Sequence, residues 1–293
     1  MAVPATAAFA AALAAVAAGA GCAADPPSLT RGTGGSTSTD GGGAGGGAGG
    51  FFGGTGFGNP TQTGGGVTIE DQYGRVLVTR NGVSYTFIAN GWGPNWESHA
   101  IAVRGTSFNV VSTEGTQGPN YEPASYPAVF CGRYANITSG ACGLPRAIAE
   151  TASLRTGWIW HANGNGGEYN AAWDIWLANG TAFSSYLMVW LRDPPGQQPA
   201  GTVRAFNVTV ANVPLTWNVW QGTVNGAPYI AYALAEGQDA SQLEFDVLDF
   251  VRDVPGRGLT LPGSHVLAVA IGFEIWNGPI TNLMTEDFYV DVK

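Results

Sequence analysis

From residue 67 onward the apolar residues fall in short runs alternating with polar ones, and Gly, Asn, Asp and Pro separate the runs. Such runs occupy 76–79, 84–88, 101–104, 108–111, 128–130, 157–160 and 172–177, then 186–191, 205–210, 217–220, 229–234, 266–276 and 287–292. Alternation of period two in runs of this length predicts strands. Over 241–252 the spacing changes: Leu243, Val247, Phe250 and Val251 recur every three or four residues before Pro255 and Gly256, which predicts one short helix. Many strands and one helix predict an all-β fold, a two-sheet sandwich or jelly roll with Greek-key links and a concave cleft. There is no internal repeat.

Three runs can be read for what each face carries, because strand side chains alternate between faces. Ala172, Asp174 and Trp176 share one side, and Trp173, Ile175 and Leu177 the other. Tyr186, Met188 and Trp190 share a side, as do Gly272, Glu274 and Trp276. An unpaired carboxylate is costly in a core, so an acid beside a Trp fits the lining of a cleft. Glu274, Asp174 and Tyr186 are the candidate catalytic groups, with Trp176, Met188, Trp190 and Trp276 as candidate substrate contacts. Trp92 and Trp160 are further candidate platforms, since aromatic faces stack on the apolar faces of sugar rings.

Glycoside cleavage ordinarily uses two carboxylates flanking the bond, yet no acid occurs from 175 to 192. Four roles stay open for Tyr186: a nucleophile activated by a base, a residue that leaves room for water with Asp174 as base, a stacking ring in a cleft that binds without cutting, or a packing residue. Asp174 can orient Tyr186, act as a base, or satisfy donors on its own strand. Glu168 is either a substitute carboxylate at the cleft edge or an exposed strand-end charge. His99, His161 and His265 share no spacing with an acid or a Cys, and none is expected to be catalytic.

The net charge of −9 and the low share of charged residues, 11%, argue against nucleic acid, whose phosphates need clustered Lys and Arg. Ten Trp in such a body suit a neutral ligand with flat apolar faces. There is no CxxC pair or His cluster, so no metal is expected, nor any other cofactor. Residues 1–22 are Ala-rich and apolar and end in Gly19-Ala20-Gly21-Cys22, which reads as a signal peptide with Cys22 as a lipidation site. An ordinary cleaved signal is the alternative. Either way the expected location is extracytoplasmic: outer-membrane-anchored, on the cell surface, or secreted. Residues 23–66 are Gly-rich, about half glycine from 32 onward, and read as a disordered linker. The domain proper spans 67–293. Cys131 and Cys142 are spaced to close a small disulfide loop, which leaves Cys22 as the odd cysteine.

Several stretches resemble glycoside hydrolase family 12, the jelly-roll endoglucanases and xyloglucanases. They are 89–93 (Ala-Asn-Gly-Trp-Gly), 126–130 (Tyr-Pro-Ala-Val-Phe) with the Cys-bounded loop after it, 169–176 (Tyr-Asn-Ala-Ala-Trp-Asp-Ile-Trp), 187–191, 245–250 and 272–276 (Gly-Phe-Glu-Ile-Trp). The resemblance covers 67–293 and implies retaining hydrolysis of β-1,4-glucan. It implies Glu274 as acid/base, Asp174 as a helper carboxylate and Trp92 as a sugar platform. At the position of the family's nucleophilic Glu this chain has Tyr186. The expected partner is a β-glucan polysaccharide, with membrane contact only through Cys22 and a monomeric state. Two functions follow: a hydrolase of β-1,4-glucan, or a non-catalytic β-glucan-binding lipoprotein on a hydrolase fold.

Overall fold

The computed structural model describes residues 66–293, except 120, 164, 165, 237 and 239. The readings on the signal segment, Cys22 and the linker to residue 65 lie outside the described residues.

The strands form two large sheets. The smaller has six strands in the order Val67–Ile69, Trp96–Arg104, Ser107–Gly115, Ile280–Val292, Leu154–Ala162, Gln242–Asp246. The larger runs Thr202–Val210, Val213–Val224, Ala227–Leu234, Ala182–Arg192, Ala171–Asn179, His265–Gly272, Ala128–Tyr134, Val83–Ile88, Arg75–Arg80. The three strands singled out in the sequence are therefore neighbours in its middle. Ala182–Arg192 pairs in parallel with Ala227–Leu234, while its other neighbour and most pairings are antiparallel. This is the all-β, two-sheet jelly roll expected.

Alternation decides what each face of the large sheet does. Trp173, Ile175, Leu177, Leu187, Val189, Val269 and Ile271 point into the main core between the sheets and are fully buried. The opposite side carries a second cluster that includes Ala172, Trp176, Tyr186, Met188, Trp190, Ala270 and Trp276. The core of the sandwich thus holds one parity rigidly, and the other parity is free to line a cavity.

The helix, which runs on through Pro255 and Gly256 instead of stopping before them, and one apolar run differ from expectation. Residues 242–246 are a strand, and the helix is Val247–Gly256, with Asp246 accepting from the Leu248 N–H as its N-cap. Leu243 and Val247 have a helical spacing, but together with Phe245 they also alternate with a period of two. Pairing with Leu154–Ala162 decides for the strand. The run 266–276 is two strands, His265–Gly272 and Ile275–Asn277, and Glu274 sits in the break. Cys131 and Cys142 are joined by a disulfide, with Cα atoms 5.8 Å apart.

Candidate active site

Asp174, Tyr186 and Glu274 line one cavity of about 360 Å³. That volume lies at the small end of ligand sites, about 300–1,000 Å³. Trp92, Trp176 and Met188 share its wall, as do Tyr126, Tyr134, Asn225 and Tyr229, with Tyr73 and Arg75 on the edge strand side. Among the described residues that line it, Asp174 and Glu274 are the only carboxylic acids.

Pairing register places each group along the sheet. Asp174 is opposite Met188 on one side and Ala270 on the other. Tyr186 is opposite Trp176, two residues away. Glu274 is level with Asn170, which holds it from three directions. The Asn170 backbone N–H donates to the Glu274 carbonyl (3.0 Å), the Asn170 side-chain oxygen accepts from the Glu274 N–H (2.9 Å), and the Asn170 amide donates to Glu274 Oε2. The side chain thus satisfies an N–H that the broken strand leaves without a ladder partner.

Asp174 is 8% exposed. Its Oδ2 accepts from the Tyr134 hydroxyl (2.7 Å) and the Trp176 indole N–H (2.8 Å). Its Oδ1 is buried with no hydrogen-bond partner among the described residues. Burial pushes the carboxyl up to about 6, against the pull of Trp176 and Tyr134. For Glu274, burial and then the Asp174 charge push the carboxyl up to about 8, with the Asn170 bond pulling the other way. At neutral pH Glu274 is protonated and Asp174 ionised. Burial also raises Tyr186 to about 12, with Asn225 opposing and the Asp174 charge reinforcing, so its phenol is neutral.

The tyrosine–aspartate contact makes a direct prediction. Tyr134→Phe removes a donor that favours the ionised form of Asp174. The Asp174 midpoint, followed by carboxyl carbon NMR, is expected to move above about 6.

Several sequence expectations need correction. Trp190 and Trp276 are on the predicted side but are fully buried, pack on one another with ring centroids 5.8 Å apart, and do not line the cavity. The Trp276 indole N–H donates to the Tyr121 carbonyl. They back the wall, since parity sets direction and neighbouring side chains set depth. Trp160 belongs to the main core, and its indole N–H donates to the Ala240 carbonyl. Glu168 is outside the cavity, bonded to Gln197 and Asn277, in keeping with a strand-end charge. None of the three histidines lines the cavity.

The sequence reading missed Tyr134, Asn170, Asn225 and Tyr229. Tyr134 and Tyr229 have the cavity-side parity of their strands, shared with Phe130 and Ala231, but which strands adjoin Ala171–Asn179 is not written in local pattern. Asn225 sits with Gly226 in a hairpin turn, both at positive φ (51° and 80°), and Asn-Gly is a strong local signal for such a turn.

The model for the family described as "Glycosyl hydrolase family 12" matches residues 83–293. No curated protein matches the chain. The endo-1,4-β-glucanase CelB2, a cellulase, is similar in structure at 27% identity, covering 77% of this chain and 99% of its own, with a TM-score of 0.67. An endoglucanase, Cel12A from Rhodothermus marinus, is similar at 30% identity, covering 78% of this chain and 99% of its own, TM-score 0.67. A family 12 xyloglucanase from Bacillus licheniformis shares the fold at 19% identity, covering 78% and 100%, TM-score 0.64.

Proposed function

Because the chain belongs to glycosyl hydrolase family 12, we propose that it hydrolyses β-1,4-linked glucan, of the cellulose or xyloglucan kind, with Glu274 protonating the leaving oxygen. One observation carries this reading. A carboxyl held up to about 8 and another at about 6 line the same cavity. Acid-assisted glycoside cleavage needs one proton donor and one ionised partner at the working pH. The endoglucanases similar to this chain support β-1,4-glucan as the substrate class. Trp92, partly buried on the cavity wall, is the sugar platform in this proposal.

The activity is placed outside the cytoplasm. The Cys131–Cys142 disulfide supports that location, because such bonds persist in oxidising compartments. Cys22 would tether the enzyme to a membrane through a lipid.

A second reading has a specific observation in its favour. By the resemblance in sequence Tyr186 stands where the family has its nucleophilic Glu, burial keeps its phenol neutral, and Asp174 is the one acid beside Glu274 among the described residues of the cavity wall. For Asp174 to take the Tyr186 proton, the gap between about 6 and about 12 would cost on the order of 8 kcal/mol. A protein that grips β-glucan without turnover fits that cost. The full chain incubated with soluble cellulose derivatives, xyloglucan and mixed-linkage glucan separates the two. Hydrolysis predicts new reducing ends, whereas binding alone predicts retention of glucan in an affinity gel and no new ends.

A further inference from the structure

We infer that Asn170 is the positioning residue of the acid in this cavity: its side-chain amide keeps Glu274 Oε2 as the carbonyl oxygen and so puts the transferable proton on Oε1. The inference rests on the hydrolytic reading above and deepens it by naming the group that aims the proton.

The place of Asn170 follows from a gap in the sheet. The ladder between Ala171–Asn179 and His265–Gly272 ends where Ala172 meets Gly272. It resumes as a separate two-stranded sheet, in which Tyr169 pairs with Ile275. Asn170 and Glu274 lie within that gap. Tyr169 and Ala171 on either side of Asn170 stay in the main core, as do Phe273 and Ile275 on either side of Glu274. Alternation therefore turns Asn170 and Glu274 to the same side, the side of the cavity.

The Asn170 amide has one workable orientation. The Glu274 backbone N–H donates to its oxygen at 2.9 Å, and an NH₂ group in that position could not accept. A backbone donor thus fixes which end is oxygen, and the nitrogen is left to donate to Glu274 Oε2. Asn170 is fully buried, so solvent does not compete for either end. Among the described residues this amide is the only hydrogen-bond partner of the Glu274 carboxyl. Asp174 Oδ2 is taken up by Tyr134 and Trp176, and Asp174 acts on Glu274 through its charge.

A neutral carboxyl has one O–H and one carbonyl oxygen, and the carbonyl oxygen is the better acceptor. With Oε2 accepting from Asn170, the hydrogen belongs on Oε1. That oxygen meets no described partner and, unlike Asp174 Oδ1, is not closed off from solvent. Glu274 keeps 7% exposure and lines the cavity, so the proton sits on the oxygen that a glycosidic oxygen can approach. Once the proton has left, the same amide stabilises the carboxylate, against burial and the Asp174 charge.

Comparing kcat/KM on cellopentaose and on dinitrophenyl β-cellobioside separates aim from packing, because only the first leaving group needs a proton. In the full chain Asn170→Ala is expected to lower the value on cellopentaose by about 10²-fold, the cost of a misplaced catalytic group. The value on the dinitrophenyl glycoside should change little. An equal loss on both substrates, or no loss on either, overturns the inference. Asn170→Asp keeps an oxygen for the Glu274 N–H but loses the donor to Oε2, and it supplies the same comparison where Asn170→Ala fails to fold. It is expected to show the same selective loss; a normal rate on cellopentaose would reduce Asn170 to a packing role and overturn the inference. Carbon NMR of the Glu274 carboxyl needs no turnover. Its midpoint, about 8 in the unaltered protein, should rise in both variants, and a midpoint that stays or falls overturns the inference. No product from the unaltered protein overturns the hydrolytic reading, while the titration still decides whether Asn170 governs the Glu274 proton.

Discussion

Glu274→Gln is expected to lower kcat/KM on soluble β-1,4-glucan by about 10²–10⁴-fold, the usual worth of a positioned general acid. The same change is expected to stabilise the fold at high pH. The carboxyl has an ordinary value of 4.5 and is raised to about 8 in the folded protein. The folded state therefore holds that proton more tightly than the unfolded chain does. The stability it contributes is full below about 4.5 and is lost as pH rises through about 8. Gln carries no charge to bury, so the variant escapes that loss, a gain of at most about 5 kcal/mol at pH 9 or above. Gln also keeps an oxygen to accept from Asn170. Thermal melts at pH 5 and pH 9 check this: the two proteins should melt close together at pH 5, and the variant should melt higher at pH 9. Lost turnover with gained stability is the signature of a group held for chemistry at the expense of the fold. A carboxylate kept for structure would show the reverse.

Tyr186→Glu has the second large effect. It puts a carboxylate two residues along its strand from Met188, which faces Asp174. A second acid there permits attack on the anomeric carbon from the protein, the arrangement of retaining glycosidases, whose carboxyl groups stand about 5–5.5 Å apart. The expected result is release of the β anomer as the first product. The rate should rise by at least about tenfold, about 1.4 kcal/mol off the barrier. The change has a cost, because Tyr186 packs edge-on to Trp176 and against Phe183. Losing those ring contacts should destabilise the fold by about 1–3 kcal/mol. The new acid also meets the Asp174 charge, which raises its pKa, so the gain should be larger at pH 8 than at pH 6. Initial-rate assays and anomer-resolved NMR at both values measure it.

The alternating pattern made much of this site legible beforehand. In 172–177 the odd positions are fully buried in the sandwich core and Asp174 lines the cavity, as period-two reasoning requires. The same parity survives the break at Glu274, because Phe273 and Ile275 stay in the main core on either side. Depth was not legible. Trp176 and Trp190 have the same parity on adjacent strands, yet Trp176 reaches the cavity and Trp190 is sealed behind it against Trp276. The partners of the acids were also hidden. Tyr134 meets Asp174 from 40 residues away, across His265–Gly272 in the sheet, and nothing local encodes that order. Asn170 lay inside a recognised stretch, but its hold on Glu274 depends on a strand break that a continuous apolar run concealed. The helix boundary failed for a related reason: over 243–247 the two periods coincide, and pairing with the strand Leu154–Ala162 settles the choice.

The most direct test is the pH dependence of kcat/KM for release of reducing ends from a soluble β-1,4-glucan by the full chain. Opposed protonation states in one cavity predict a bell, rising as Asp174 ionises near 6 and falling as Glu274 loses its proton near 8. A flat absence of new reducing ends from pH 4 to pH 10, with the glucan still bound, would contradict hydrolysis and leave a binding protein in its place.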